Sequence, residues 1–333
     1  MELCNIFIFA VLLDVIIGDP VFFFHPVRLI GYYLSFCEKL SRTFFSRYLF
    51  FAGIITCLSV TLISYFFVYW TIYFSCYWNQ LLGNIVEIIW IWLGIAAGDL
   101  DRAVRKIFRD LKDKNIISAR KNLSMIVGRD TQNLDESEVS RATIESTAES
   151  LVDGVLSPIF YFLLGGAPLL WAFKAVSTCD SMFGHKDEKY IFYGCFSARL
   201  DDILNFIPAR LSFLFIFIGT FFMNLFSSSF YPLFCLKAFF RDRLKHASPN
   251  SGLPESAFAG ALNVRLGGVN YYDGEKYQTE LIFPEGRKAK ADDIMNALKL
   301  MWTTVIILVI SSYIVFEIFK CPLIFIFFSE KMK

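Results

Sequence analysis

The stretch Tyr48–Val86, YLFFAGIITCLSVTLISYFFVYWTIYFSCYWNQLLGNIV, contains 39 residues without one Asp, Glu, Lys or Arg. A helix needs about 20 mostly apolar residues to cross the hydrocarbon core of a bilayer. This stretch therefore holds most of a two-helix hairpin, with its turn at Trp78-Asn79-Gln80. Further uncharged runs of 25, 20 and 17 residues cover 212–236, 154–173 and 300–316. The pattern predicts a multi-pass integral membrane protein.

Composition supports this class and excludes others. Hydrophobic residues make up 56% of the chain, and the formal net charge of +1 gives no case for nucleic-acid binding. The eight Cys include no Cys-x-x-Cys pair and several fall within apolar runs, which favours reduced packing residues. We expect an all-α, polytopic membrane helical bundle of five or six spans with helical extramembrane loops, forming one domain over residues 1–333.

Hydropathy places the spans, and basic residues orient them. The predicted spans are 3–20, 49–70, 80–98, 155–175, 210–232 and 300–320, with polar loops at 99–153, 177–209 and 237–299. Ten Lys and Arg lie in 99–150, ten in 236–299 and four in 21–48, which predicts cytoplasmic loops and an external N-terminus. Strict alternation would put 177–202 outside. Either 155–175 and 210–232 form a re-entrant pair, or the site is assembled at membrane depth.

A soluble helix with a clear start is predicted over residues 135–152. Asp135 can cap it, and Glu138 three residues later completes a capping-box pattern. Gly154 and Pro158 end or bend it before the next apolar run. The chain contains no Walker-type loop and no G-x-G-x-x-G motif.

Three carboxylates recur on this helix at steps of four, Glu145, Glu149 and Asp153, so they stack on one face. Arg141 continues the face and can pair with Glu145. Stacked carboxylates repel one another unless a cation lies among them, and oxygen ligands suit Mg²⁺. These residues are predicted magnesium ligands. The alternative is a solvated acidic face.

A second polar block precedes the fifth predicted span. Adjacent Asp201 and Asp202 point to different helix faces, so one could hold metal while the other pairs with Arg199. Asp180 could supply a further ligand or a base. Arg199, Asn205 and Arg210 are candidate substrate or phosphate contacts. Simple interfacial snorkelling would also explain Arg210.

The N-terminal block carries ionisable groups beside an apolar run. Gly18-Asp19-Pro20 closes the first predicted helix, and His25 and Arg28 follow as candidate substrate contacts. Asp14 lies within the span, where an ionisable group normally has a partner or a task.

The segment Ser248–Glu275, SPNSGLPESAFAGALNVRLGGVNYYDGE, is dense in turn residues and polar side chains, which indicates a shaped binding surface. Arg265 followed by Gly267-Gly268 suits a close approach of backbone and guanidinium to phosphate. A purely structural loop is the alternative. Further candidate contacts in this segment are Asn250, Glu255, Asn270 and Tyr271.

Five blocks in order make the chain resemble the membrane family of cobalamin biosynthesis called CbiB or CobD, adenosylcobinamide-phosphate synthase. They are LLDVIIGDPVFFFHPVRLIG, GRDTQNLDESEVSRATIESTAESLVDGVLSPIFY, KAVSTCDSMFGHKDEKY, FSARLDDILNFIPARL and the Ser248–Glu275 segment. The resemblance covers essentially the whole chain. Ser150 and Ser177 stand where Asn is expected in the family, and His185 where Tyr is usual, which could alter substrate fit.

The resemblance implies a multi-pass protein of the cell (inner) membrane that ligates adenosylcobyric acid to aminopropanol, or its phosphate, through an amide. It implies ATP as co-substrate, Mg²⁺, and association with other membrane enzymes of cobalamin assembly. We assign Asp180, Asp201, Asp202 and Glu255 catalytic roles and expect the polar blocks to converge on one cytoplasm-facing cavity. Two rival classes are a non-catalytic corrinoid carrier or transporter and a membrane sensor or regulator.

Overall fold

The computed structural model describes residues 2–19, 25–184, 187–272 and 274–319. These residues are mainly helical, as predicted. The helices are α1 (Leu3–Ile16), α2 (Pro26–Phe44), α3 (Leu49–Trp78), α4 (Gln80–Trp92), α5 (Ala97–Lys112), α6 (Ile116–Leu123), α7 (Glu136–Leu151), α8 (Ser157–Phe183), α9 (Cys195–Leu204), α10 (Phe206–Asn224), α11 (Pro232–Asp242), α12 (Gly252–Leu262) and α13 (Ala291–Phe319). A short π-helical segment, Val152–Leu156, joins α7 to α8.

Five helical stretches among the described residues are long and apolar enough to cross a membrane: Ser46–Trp78, Gln80–Lys112, Glu136–Phe183, Phe206–Asn224 and Ala291–Phe319. The first predicted span, residues 3–20, contains α1, which has only 14 residues. The predicted spans 80–98 and 210–232 each contain a helix end, because α4 stops at Trp92 and α10 stops at Asn224. The seven Cys in the described part of the chain are free thiols, as expected.

Contacts divide the chain into two compact units. The first contains α1–α4, α8, α9 and the part of α13 from Val309, and the second comprises Ala97–Val152 and Phe206–Leu308. In sequence, the boundaries fall between Ala96 and Ala97, between Val152 and Asp153, between Asn205 and Phe206, and between Leu308 and Val309.

In the first unit, small residues allow helices to approach closely. The Asn79 side chain accepts the Leu81 N–H at 2.7 Å, which starts α4 at the predicted turn. A Cβ on Gly83 would lie 2.2 Å from Cys76 Sγ on α3, and one on Gly94 would lie 2.3 Å from Leu170 Cδ2 on α8. Gly94 thus packs against α8.

Helix α8 is interrupted in the middle of its apolar run. Gly165 (φ −146°, ψ 22°) and Gly166 (φ 73°, ψ −170°) leave the helical region, and Pro168 follows. Gly166 is needed here because L side chains rarely adopt its positive φ. The span therefore consists of two half-helices, an arrangement tolerated at membrane depth only where protein or water satisfies the freed backbone groups.

In the second unit, α12 is the central element, and all eleven of its residues are buried. It ends at Asn263, whose left-handed conformation (φ 52°, ψ 47°) stops the helix. The chain then enters an antiparallel hairpin of β1 (Leu266–Tyr272) and β2 (Glu275–Ile282). The sequence analysis treated this segment as turns and loop and did not predict the hairpin.

The end of β2 is fixed to α11 by a buried carboxylate. Asp242 is fully buried, and its Oδ2 accepts the Phe283 N–H at 2.8 Å. Arg241 and Lys245 both contact the same carboxylate, at 2.6 Å and 2.8 Å. Burial opposes ionisation of Asp242, but these hydrogen bonds prevail and hold the pKa of Asp242 below its usual range.

Substituting Gly260 by Ala should destabilise the second unit. A Cβ at this position would lie 2.2 Å from the Phe234 carbonyl oxygen on α11, and backbone cannot move aside as a flexible side chain can. We expect a loss of about 1–3 kcal/mol, seen as a lower midpoint of thermal unfolding in detergent. Gly128→Ala is the matched control, because a Cβ there meets nothing within 4 Å. Equal midpoints for the two variants would contradict this packing.

Candidate active site

Helix α7 presents the first carboxylate of the site. Its start is fixed by the predicted capping box, in which Asp135 accepts the Glu138 N–H and Glu138 accepts the Asp135 N–H. One turn apart on this helix, Arg141 donates to Glu145 at 3.0 Å. The predicted pairing of these two side chains is present.

Glu145 is the centre of a buried polar network. Its Oε1 accepts from Arg141 and from the Gly267 N–H at 2.8 Å, and its Oε2 accepts from Arg129. The side chains of all three charged residues are at most 10% exposed. Both carboxylate oxygens are therefore occupied by donors of the protein itself.

The same arginines hold the β-hairpin against α7. Arg141 donates to the carbonyl oxygens of Gly267 at 2.8 Å and Val269 at 3.0 Å. Both Arg129 and Arg141 donate to the side-chain oxygen of Asn270. Gly267 has a positive φ of 73°, and a Cβ there would lie 2.3 Å from the Glu280 carbonyl oxygen. The Gly267 backbone therefore contacts the Arg141 guanidinium. The predicted approach of this backbone and the Arg265 guanidinium to a phosphate stays a prediction.

Two further carboxylates lie near this network. Glu149 is half-buried and accepts a hydrogen bond from the Ser251 hydroxyl at 2.8 Å. Glu255, in the first turn of α12, is buried. Among the described residues, the carboxyl of Glu255 has one ion-pair neighbour, His246, whose Nε2 lies 3.9 Å from Oε1.

The pKa values of Glu255 and Arg129 are both raised, which favours the neutral form of the carboxyl and the charged form of the guanidinium. Burial, with the negative charges of Glu145 and Glu149, raises the pKa of Glu255 well above its usual range, and nearby Arg129 and Arg141 offset only part of the effect. Burial opposes the charge of Arg129, yet Glu145 more than compensates and raises the pKa of that guanidinium. The site therefore holds a firmly charged arginine beside a carboxyl that resists ionisation.

Two arginines of the second unit stand outside the network. Arg210 stacks on the Phe206 ring, 3.3 Å from its centroid, and lies 3.5 Å from the Asn250 side-chain oxygen. Arg265 is half-buried, and its guanidinium makes no hydrogen bond or ion pair with any residue that the structure describes. Arg265 is thus available to bind an anion.

Because successive side chains of β1 lie on opposite faces of the strand, the neighbouring Tyr271 and Tyr272 point in opposite directions. Tyr271, the predicted contact, is 39% exposed, and its carbonyl oxygen accepts the Asp130 N–H. Tyr272 lies on the face of the strand that carries Asn270, and it interacts electrostatically with Arg129 and Glu255. Tyr272, which is 41% exposed, therefore lies on the side of β1 that carries Asn270, opposite to the tyrosine that the sequence singled out.

The first unit contains a separate set of predicted residues. Ser157 donates to the Asn205 side chain at 2.6 Å, and Asn205 donates to Asp201 at 2.9 Å. His25 is buried, with its Nε2 3.6 Å from Asp19. The predicted alternative in which Arg199 pairs with an aspartate is not observed, since Arg199 is exposed and has no ion pair within the described ranges.

Lys174 on α8 is the main charged residue of the first unit that the sequence analysis overlooked. Its ammonium interacts with three carboxylates, Asp19, Asp153 and Asp14. The sequence signal for Lys174 was an isolated basic residue directly after the uncharged run 154–173. Asp153, a predicted metal ligand, thus lies in the field of a lysine. Among the other predicted residues, Asp180 and Asp202 are partly buried and Arg28 is exposed.

The hydrogen-bond donors around Glu145 argue against its predicted role as a magnesium ligand. Because its oxygens already bind two guanidinium groups and a backbone N–H, Glu145 does not fit the role of a direct Mg²⁺ ligand. Assignment of Mg²⁺ to Glu149 and Asp153 stays a prediction. Elsewhere in the described chain, Glu2, Cys4 and Glu317 place three potential ligand atoms within 4.8 Å of one another, but Glu2 is exposed.

These features define a class, namely a polytopic helical membrane protein with a buried carboxylate–arginine site on α7, α12 and a β-hairpin. A family model described as CobD/Cbib protein matches residues 7–301. The chain belongs to the CobD/CbiB family of cobalamin biosynthesis proteins.

Curated relatives agree with this membership. The chain is 43% identical over 287 residues to "Cobalamin biosynthesis protein CobD" of Clostridium perfringens, covering 86% of this chain and 90% of the relative. It is 41% identical to the protein of that name from Leptospira interrogans, covering 80% and 82%. It is 38% identical to "Cobalamin biosynthesis protein CbiB" of Salmonella choleraesuis, covering 88% and 91%. No solved structure matches.

Proposed function

We propose that this protein is a carbon–nitrogen ligase, adenosylcobinamide-phosphate synthase, acting in the cell (inner) membrane. It would join a carboxylate of adenosylcobyric acid to the amino group of aminopropanol or aminopropanol phosphate. Family membership supports the pathway, and the chemistry of the second unit supports the reaction class. Association with other membrane enzymes of cobalamin assembly is part of the same proposal.

The observation that carries the proposal is the burial of Glu255 close to two further carboxylates, Glu145 and Glu149. An alkyl ammonium ion must lose a proton before its nitrogen can attack a carbonyl carbon. A buried carboxyl whose pKa is raised by burial and by neighbouring carboxylates is a stronger base than an ordinary glutamate. Glu255 would take the proton from the bound amine, while Glu149, held by Ser251, would attract the ammonium group to the same place.

Activation of the corrinoid carboxylate requires a better leaving group than oxide. An acyl phosphate supplies one: the carboxylate oxygen attacks the γ-phosphorus of ATP, ADP leaves, and the amine then displaces inorganic phosphate. Arg265, which has no partner within the described residues, and Arg210 are the guanidinium groups proposed to hold phosphate. Mg²⁺ bound to the nucleotide would neutralise phosphate charge. No step is assigned to Glu145, which serves as the counter-ion of Arg129 and Arg141.

The direct test uses purified protein in lipid nanodiscs with adenosylcobyric acid, aminopropanol or its phosphate, and MgATP. We expect mass spectrometry to detect the amide only when ATP is present, and the two amines compared side by side would identify the preferred one. Tight corrinoid binding without amide would favour a carrier or transporter. Binding of a corrinoid or nucleotide without turnover, coupled to recruitment of a partner, would favour a sensor or regulator. Either result would refute the proposal.

A further inference from the structure

His246 lies between solvent and the buried Glu255. It belongs to the segment that joins α11 to α12, and its side chain is 31% exposed, compared with 7% for Glu255. The Ser248 backbone N–H donates to His246 Nδ1 at 3.0 Å. On the other edge of the ring, Nε2 faces Glu255 Oε1 at 3.9 Å. The sequence analysis gave His246 no role.

The hydrogen bond from Ser248 to Nδ1 sets the tautomer of the neutral ring. Because a backbone N–H can only donate, Nδ1 must accept, and the neutral ring therefore carries its proton on Nε2. In this tautomer, the Nε2–H of His246 is directed at Glu255.

The other charged and titratable groups that the structure describes around Glu255 do not supply it with a hydrogen bond. The carboxyl interacts electrostatically with Glu145, Glu149 and Arg141 of α7, with Arg129 of the loop before α7, and with Tyr272 of β1. In the described chain, none of them hydrogen-bonds to Glu255. A donor directed at a carboxylate stabilises its ionised form. His246 can do this without introducing a full positive charge that would compete with the substrate ammonium.

We infer that His246 is a positioning residue that sets the basicity of Glu255 by donating its Nε2–H to the ionised carboxylate. The inference rests on the proposed function in that Glu255 is the base of that reaction. The 3.9 Å separation is longer than a hydrogen bond, so the inference requires the ring to move about 1 Å closer when the carboxylate ionises.

Glutamine and asparagine variants give a matched pair for the test. In His246→Gln, the side-chain amide nitrogen can occupy the place of Nε2 and keep the donor. In His246→Asn the amide is one carbon shorter and reaches only the place of Nδ1. We expect the Gln variant to keep the wild-type dependence of rate on pH. We expect the Asn and His246→Leu variants to show an acidic limb shifted to higher pH by about one unit, with little change in the plateau rate or in thermal unfolding.

A second readout separates this inference from the proposed function. Infrared difference spectroscopy can follow the protonated carboxyl band of Glu255, assigned by its disappearance in Glu255→Gln. The band should persist to higher pH in His246→Leu than in wild type. A wild-type protein that forms no amide would refute the proposed function, and the spectroscopic titration would still test His246. Equal behaviour of the Gln and Asn variants in both readouts, or failure of the Asn and Leu variants to fold, would overturn the inference.

Discussion

Replacing Glu255 by Gln should reduce amide formation by about 10²–10⁴-fold, the range typical of losing a general base. The amide of Gln has nearly the shape of the carboxyl but cannot take up a proton. The rate of amide formation in nanodiscs, at saturating ATP and both substrates, measures this loss.

The fold should tolerate Glu255→Gln, which distinguishes a catalytic role from a structural one. A carboxyl whose pKa is raised on folding has its full stability contribution below its unfolded pKa and loses it as pH rises through the folded pKa. A Gln at this position does not titrate, so at neutral pH the variant should unfold at the wild-type temperature or above. Glu138→Gln is the control, since Glu138 belongs to the exposed capping box. Equal, mild losses of activity in both variants would contradict the assignment.

Replacing Glu145 by Gln should destabilise the second unit by about 3–5 kcal/mol, because it removes the negative charge that compensates two buried arginines. Arg129 and Arg141 are at most 10% exposed, and both also hold Asn270 on β1. We therefore expect a lower thermal unfolding midpoint and faster hydrogen exchange along the β-hairpin.

The surface pair Arg102–Asp99 provides the comparison for Glu145→Gln. Its side chains are 46% and 43% exposed, and such pairs contribute about 0–1 kcal/mol. Asp99→Asn should thus leave the unfolding midpoint nearly unchanged. If Glu145→Gln were equally mild and hydrogen exchange in the hairpin did not change, the network would not be what holds the hairpin to α7.

Local features of this chain could be predicted from its sequence because their causes are local. The capping box of α7 needs only Asp135 and Glu138, three residues apart, and the Arg141–Glu145 pair follows from one helical turn. The turn at Asn79 follows from one side chain that accepts the Leu81 N–H. In each case the interacting groups lie within four residues.

Apart from the Arg141–Glu145 pair, the contacts that define the site are non-local and escaped prediction. Arg129 contacts Glu145, 16 residues away in sequence, and Asn270, 141 residues away. The spacing of these residues does not predict either contact. The hairpin was missed because its Gly and Asn residues were read only as loop signals, although alternation in β1 separates Tyr271 from Tyr272. The convergence of all polar blocks on one cavity stays a prediction.

The most direct test of the central claim is to follow the oxygen atoms of the corrinoid carboxylate. Adenosylcobyric acid carrying ¹⁸O at both oxygens of the reacting carboxylate is incubated with the wild-type protein, MgATP and the amine. Activation as an acyl phosphate predicts that each amide formed retains one ¹⁸O in its carbonyl and releases one in inorganic phosphate. Amide formed with no label in phosphate, or no amide from a protein that binds all three substrates, would contradict the account.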